Sequence, residues 1–169
     1  MSRLAKDNHK VLFVDPPINV GRVFIAQIRR GLWNLKRFLT HIKKDAGVVI
    51  FTPLNFIPTS KITTYFHIKK IKRLAKKHFV KSRKTVLWVY HVQMAFLPEY
   101  LDNLDYDILV YDCVDNYEAF PEDSSIFSTS IAKDRLLEQE KSLAERADLV
   151  FASAPGLMEK LKKINPNTY

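Results

Sequence analysis

A single cysteine, Cys113, stands in 169 residues. No internal disulfide can form, and a reducing compartment suits such a chain. Glycine is scarce too: Gly21, Gly31, Gly47 and Gly156 are the four. They leave no G-x-G-x-x-G and no P-loop, the turns whose glycines let backbone amides close on phosphates. A dinucleotide or ATP cradled on a glycine-rich turn is therefore not expected. There is no Gly-x-Ser-x-Gly nucleophile elbow either. The five histidines are scattered and Cys113 stands alone, so no metal-ligand spacing exists and no metal is expected. No apolar run approaches the ~18–20 residues that span a bilayer. Residues 1–10 are too polar for a signal-peptide core. The expected address is the cytoplasm.

Acidic residues are nearly missing from the first half. Residues 1–91 hold 20 Lys/Arg and 3 Asp/Glu, whereas residues 92–169 hold 7 and 15. The net +9 thus hides a half of +17 joined to a half of −8. Such polarity predicts that one flank meets an anionic surface: nucleic acid, phospholipid headgroups or a phosphorylated substrate. A solvated basic helix face with no partner explains the same count.

What is present reads as α/β. Residues 10–15 (KVLFVD), 47–52 (GVVIFT), 85–90 (TVLWVY), 107–111 (DILVY) and 148–152 (DLVFA) are short apolar runs. Continuous apolar runs suit parallel strands covered on both faces. Between them lie helical spacings. Residues 61–79 form a basic amphipathic helix with Ile62, Phe66, Ile71, Leu74 and Phe79 as apolar positions. Residues 130–146 form another, with Ser130 as cap, and 155–164 a third, with Ser153 as cap and Pro155 in its first turn. A short helix is expected near 96–103 and one over 27–42, with a loop over 116–129. Alternating strands and helices predict one Rossmann-like domain over residues 1–169. Its sheet is expected to be mostly parallel, with about five to seven strands and helices on both faces.

Ligands of open α/β sheets bind beyond the carboxyl ends of the strands. Those ends carry Asp15-Pro16-Pro17, Thr52-Pro53-Leu54-Asn55, Tyr90-His91, Asp112-Cys113-Val114-Asp115-Asn116-Tyr117 and Ser153. A carboxylate at such an edge accepts a sugar hydroxyl or acts as a base. A turn-capping role explains a lone Asp equally well. His91 at a strand end is either a crevice residue or a structural one.

The segment YDCVDNYEAFP (111–121) and the following LLEQEKSLAERADLVFASAPGLMEKL resemble the amino-terminal half of bacterial GT-B glycosyltransferases of the group 1 type. In that family an aspartate-rich strand end precedes a glutamate-bearing helix and an ADLV-x-x-S strand. Asp148, Leu149, Val150 and Ser153 match the last motif, and Ala154 departs from it. The prolines around Asp15–Pro17 and Thr52–Pro58 resemble the family's first two strand ends. The resemblance implies an acceptor-binding domain. Asp115, then Asp112, are the expected catalytic carboxylates, and Asn116, Tyr117, His91, Pro17 and Asn55 the expected substrate contacts. It further implies a nucleotide-sugar donor held by a carboxy-terminal domain or subunit beyond this chain. The acceptor is expected to be a saccharide or lipid-linked one, with no cofactor in the chain itself and no nucleic acid. A membrane-face enzyme of polysaccharide or glycolipid synthesis would dock Lys69, Lys70, Arg73, Lys76 and Lys77 on anionic lipid. Arg29, Arg30, Trp33, Lys36 and Arg37 are a second basic group.

The alternative is a non-catalytic basic module for nucleic acid or another polyanion. No nucleic-acid motif is legible in support of it, and the aspartates at the strand end repel phosphate. A receiver-like domain lacks its acidic pair at the first strand's end. On the helix, exposure of Phe66 and Ile71 would favour membrane docking, and burial of both would make them core.

Overall fold

The computed structural model describes residues 4, 7, 9–21, 42–79, 83–120 and 133–169. They divide into two compact units, Met1–Arg83 and Lys84–Tyr169. The expected helix over 27–42, Trp33 and the second basic group fall outside the described residues, apart from Ile42, which opens a strand. So do Pro121, Ser130 and Ile131.

The first unit contains β1 (Val11–Val14), β2 (Ile18–Asn19), β3 (Ile42–Asp45), β4 (Val48–Phe51), β5 (Leu54–Asn55) and α1 (Lys61–His78). β4 pairs with β1 in parallel and with β3 antiparallel. β2 and β5 form a separate parallel pair. The β3–β4 turn is two residues, Ala46 (φ 45°) and Gly47 (φ 83°). Two left-handed residues are what a type I′ hairpin demands, and they match the strand twist. α1 begins with a capping box. The Ser60 hydroxyl accepts the Thr63 amide, and the Thr63 hydroxyl accepts the Ser60 amide at 2.8 Å. Its inner face is Thr63, Thr64, His67, Ile68, Ile71 and Leu74, a 3–4 spacing. That stripe packs on β1.

The second unit contains β6 (Val86–Val89), α2 (Leu97–Asn103), β7 (Ile108–Cys113), a 3₁₀ turn (Tyr117–Ala119), α3 (Lys133–Arg146), β8 (Leu149–Ala152) and α4 (Pro155–Lys162). Its sheet is wholly parallel in the order β6-β7-β8. Thr168 adds a parallel bridge beside Val150. Strand alternation sorts the side chains. Leu87, Val89, Leu109, Tyr111, Cys113, Val150 and Ala152 join Leu97, Leu101, Leu136, Leu143, Leu157 and Leu161 in one core. All three helices therefore contribute to the same face. The opposite face carries Trp88 stacked on Phe151 at 5.7 Å, with Tyr169 tilted against Phe151 at 6.3 Å.

The chain is thus α/β with parallel strands, but among the described residues no sheet reaches the expected five to seven strands. Among the described residues the strands are divided among sheets of three, two and three. One reason is β3, whose hairpin gives β4 an antiparallel neighbour. In the second unit the described helices α2, α3 and α4 pack into the core on one face of the sheet. Ser153 does not cap α4: Ala154 holds that position, and the Ser153 hydroxyl donates to Val114 O at 3.0 Å. Proline at the first turn starts that helix, since its missing N–H would be unpaired there anyway.

Candidate functional site at the carboxyl edge of the second sheet

The parallel strands β6, β7 and β8 end side by side, so their next residues share one edge. These are His91 after β6, Val114-Asp115-Asn116 after β7 and Ser153 after β8. The Ser153 amide donates to Cys113 O at 3.0 Å, and its hydroxyl holds Val114 O. Gln139 on α3 clamps the segment after β6 by donating to Val92 O and to Met94 O. Asp115 and Asn116 are exposed at this edge and His91 is half-buried. Burial lowers the His91 pKa, while the nearby Asp115 charge pushes it back up. The two side chains therefore belong to one electrostatic neighbourhood. At neutral pH the imidazole is neutral, able to donate from one nitrogen and accept at the other.

The two aspartates are separated by strand alternation. Asp115 stands beyond β7, whereas Asp112 lies inside it, on the aromatic face. Its carboxylate accepts the Trp88 indole N–H at 3.1 Å. Tyr117 is 2% exposed and sits in the core. Burial, and secondarily the charge of Asp115, push its phenol up to about 12. Its ring anchors the loop that carries Asp115 and Asn116.

The first unit places Pro17 between β1 and β2, partly exposed. Asn55 in β5 is 2% exposed and donates to Thr59 Oγ1 at 3.0 Å, with its Oδ1 unpaired. Nearby, Thr52 donates to Asp15 at 2.6 Å, a tie between the ends of β1 and β4. Lys69, Arg73, Lys76 and Lys77 are exposed on α1 and Lys70 is half-exposed. Phe66 is exposed but Ile71 is core, so the two residues divide between the membrane and packing readings.

Beneath the Asp115 loop lies a buried polar group that the sequence reading passed over. Glu140 on α3 is 3% exposed. Its carboxylate accepts from Tyr111 Oη at 2.9 Å, from Cys113 Sγ at 3.6 Å and from Lys160 Nζ at 3.1 Å. Lys160 also reaches Glu118, on the 3₁₀ turn, at 3.1 Å. One ammonium thus ties α4 to α3 and to the loop. Partial burial pulls the Lys160 pKa down, but the bond to Glu118 and the field of Glu140 outweigh it and hold it above the ordinary value. Burial raises the Tyr111 phenol well above its usual range, with the charge of Glu140 adding to it. Burial also pushes the Cys113 thiol up to about 11. Cys113 is therefore an inert core thiol, not a nucleophile. The signal was in the helix: Glu140 falls on the stripe Leu136–Leu143–Ala144–Ala147, where a charge needs partners.

A concavity of about 470 Å³, lined by Thr85, Leu101, Leu104, Asp105, Tyr106 and Asp107, lies at the opposite, amino-terminal edge. It contains none of the expected site residues. Among the described residues no group of three or more His, Cys, Asp or Glu is placed to hold a metal ion. No helix among them is long and apolar enough to cross a membrane. No protein-family description, curated protein or solved structure matches this chain.

Proposed function

We propose that the chain is the acceptor-binding half of a sugar-nucleotide-dependent glycosyltransferase. It would act in cell-surface polysaccharide or glycolipid synthesis at the cytoplasmic membrane face, on a Rossmann-like second unit. The observation that carries this reading is the parallel carboxyl edge, where Asp115, Asn116 and His91 gather on adjacent strand ends. The resemblance of residues 111–121 and 136–161 to the GT-B amino-terminal half supports it.

In this reading Asp115 is the carboxylate that meets the acceptor. In an inverting transfer it takes the proton of the acceptor hydroxyl. The oxygen then attacks the anomeric carbon as the bond to the nucleoside diphosphate breaks, and that diphosphate leaves. In a retaining transfer it orients the sugar instead. Asn116 and neutral His91 offer donors and acceptors to sugar hydroxyls. The donor belongs to a partner domain or subunit, since four glycines furnish no phosphate cradle here.

The test is a titration followed by NMR. A saccharide acceptor carried on a polyprenyl phosphate should shift resonances of His91, Asp115 and Asn116, and nucleotide sugars should not. Asp115→Asn should weaken the response without unfolding the chain. Rapid turnover of a nucleotide sugar by this chain alone, or shifts confined to the opposite edge around Tyr106, would refute the proposal.

A further inference from the structure

The outward face of α1 changes chemistry along its length. Ile62, Tyr65 and Phe66 occupy its first two turns, and they are 66%, 56% and 62% exposed. Phe56 and Ile57, in the loop leading into the helix, are 79% and 57% exposed. Five apolar side chains within eleven consecutive positions thus face outward at one end. The next turns on that face carry Lys69, Arg73, Lys76 and Lys77. No acidic residue lies between Asp45 and Glu99, so nothing in this stretch of the unit offsets those charges. Tyr65 and Phe66 meet edge-on at 5.7 Å, and the Lys69 ammonium stands 5.4 Å from the Tyr65 ring. The capping box pairs the Ser60 and Thr63 amides with side chains at the helix entry.

We infer that this end of the first unit is a lipid-docking wedge for an anionic bilayer. Phe56, Ile57, Ile62, Tyr65 and Phe66 enter the acyl boundary, while Lys69, Arg73, Lys76 and Lys77 stay with the headgroup phosphates. A helix lying flat would carry the lysines to the depth of the phenyl rings. Residues 66 and 77 are eleven positions apart, about 16 Å along a helix axis. An apolar face sinks only ~5–10 Å into the headgroup boundary. The segregated face therefore docks obliquely, amino end first. Lys69, one turn from Phe66, turns its ammonium outward along its stem. Charge complementarity selects anionic lipid, and two exposed isoleucines favour acyl chains over nucleobases as what the rings meet.

This inference rests on the membrane-face part of the proposed function, but vesicle binding is read without any sugar. Its failure would leave the role of Asp115 untouched, and failure of acceptor binding would leave the wedge untouched. The full chain is mixed with vesicles of phosphatidylcholine alone or with about 30% phosphatidylglycerol. It should bind the anionic vesicles. Phe56→Ser/Phe66→Ser should lower partition about tenfold with an unchanged circular dichroism spectrum, because both side chains are exposed. Lys69→Gln/Arg73→Gln/Lys76→Gln/Lys77→Gln should lower it more than a hundredfold, at roughly 1 kcal/mol per charge. An environment-sensitive dye on Phe66→Cys should shift to the blue on vesicles and one on Lys77→Cys should not; buried Cys113 stays unlabelled. Three results would overturn the inference: equal binding by the serine variant, equal shifts at both positions, or a shift at 66 that follows protein concentration without lipid. Binding to nucleic acid in place of vesicles, lost in the glutamine variant but not the serine one, would overturn it as well.

Discussion

Replacing Lys160 by Met strands a buried carboxylate and should cost the second unit about 2–3 kcal/mol. Removing one partner of a fully buried pair typically costs ~3–5 kcal/mol. Glu140 meets that condition with a side chain 4% exposed, but the Lys160 side chain is 26% exposed, so water screens part of the pair. The contact to Glu118, itself 56% exposed, adds little. After the change Glu140 keeps two neutral donors, Tyr111 and Cys113. Urea unfolding followed by Trp88 fluorescence in a Trp33→Phe background measures the loss, with Trp33→Phe as the reference. Glu140→Gln/Lys160→Met keeps an acceptor for Tyr111 and removes the charge. It should be more stable than Lys160→Met alone by about 1 kcal/mol, a non-additivity that only coupled partners show. A loss under 1 kcal/mol, or a double variant no better than the single one, would refute the reasoning.

Asn165 is buried and its amide donates to Ala144 O at 2.9 Å and Ala147 O at 2.6 Å, closing the end of α3. Asn165→Ala should therefore destabilise the second unit by roughly 2–3 kcal/mol in the same urea assay. Cys113, buried and raised to about 11, should resist iodoacetamide at pH 8 at least a hundredfold better in the native chain than in urea, read by mass spectrometry. Burial holds the His67 pKa below its ordinary 6.5, so the unfolded chain binds the proton more tightly. Its contribution is present above about pH 6.5 and is lost as pH falls towards the folded value. His67→Gln should flatten the decline in thermal midpoint between pH 7 and pH 5.

Short apolar runs were enough to locate β1, β4, β6, β7 and β8, because a strand covered by packing has few other ways to be that hydrophobic. The hairpin before β4 was harder to see. Ile42-Lys43-Lys44-Asp45 is mostly exposed, so it lacks the apolar signature, and only the turn residues Ala46 and Gly47 announce it. Composition also pooled what geometry divides. Ile62, Phe66, Ile71 and Leu74 look like one apolar set in α1, yet the 3.6-residue period puts Ile71 and Leu74 inward with Ile68 and leaves Ile62 and Phe66 outward. Asp112 and Asp115 likewise look like one cluster, but Asp112 is still within β7 and points to the aromatic face.

That separation bears on how the candidate edge is built. Asp115 and Asn116 gain their positions from a neighbour on the edge and from groups beneath it. Tyr117 fills the core below them, Ser153 holds Val114 O, and Lys160 links Glu118 to Glu140. Such support is invisible to motif reading, since it joins residues 20 to 42 positions apart. It still obeys a rule that sequence carries: a charge on an apolar stripe must be paired inside. Glu140 among Leu136, Leu143 and Ala144 poses that demand, and the last turn of α4 brings the lysine that answers it. The loop bearing Asp115 is therefore held from below by α3 and α4 together, so a change at Lys160 should disturb the edge without touching any residue exposed on it.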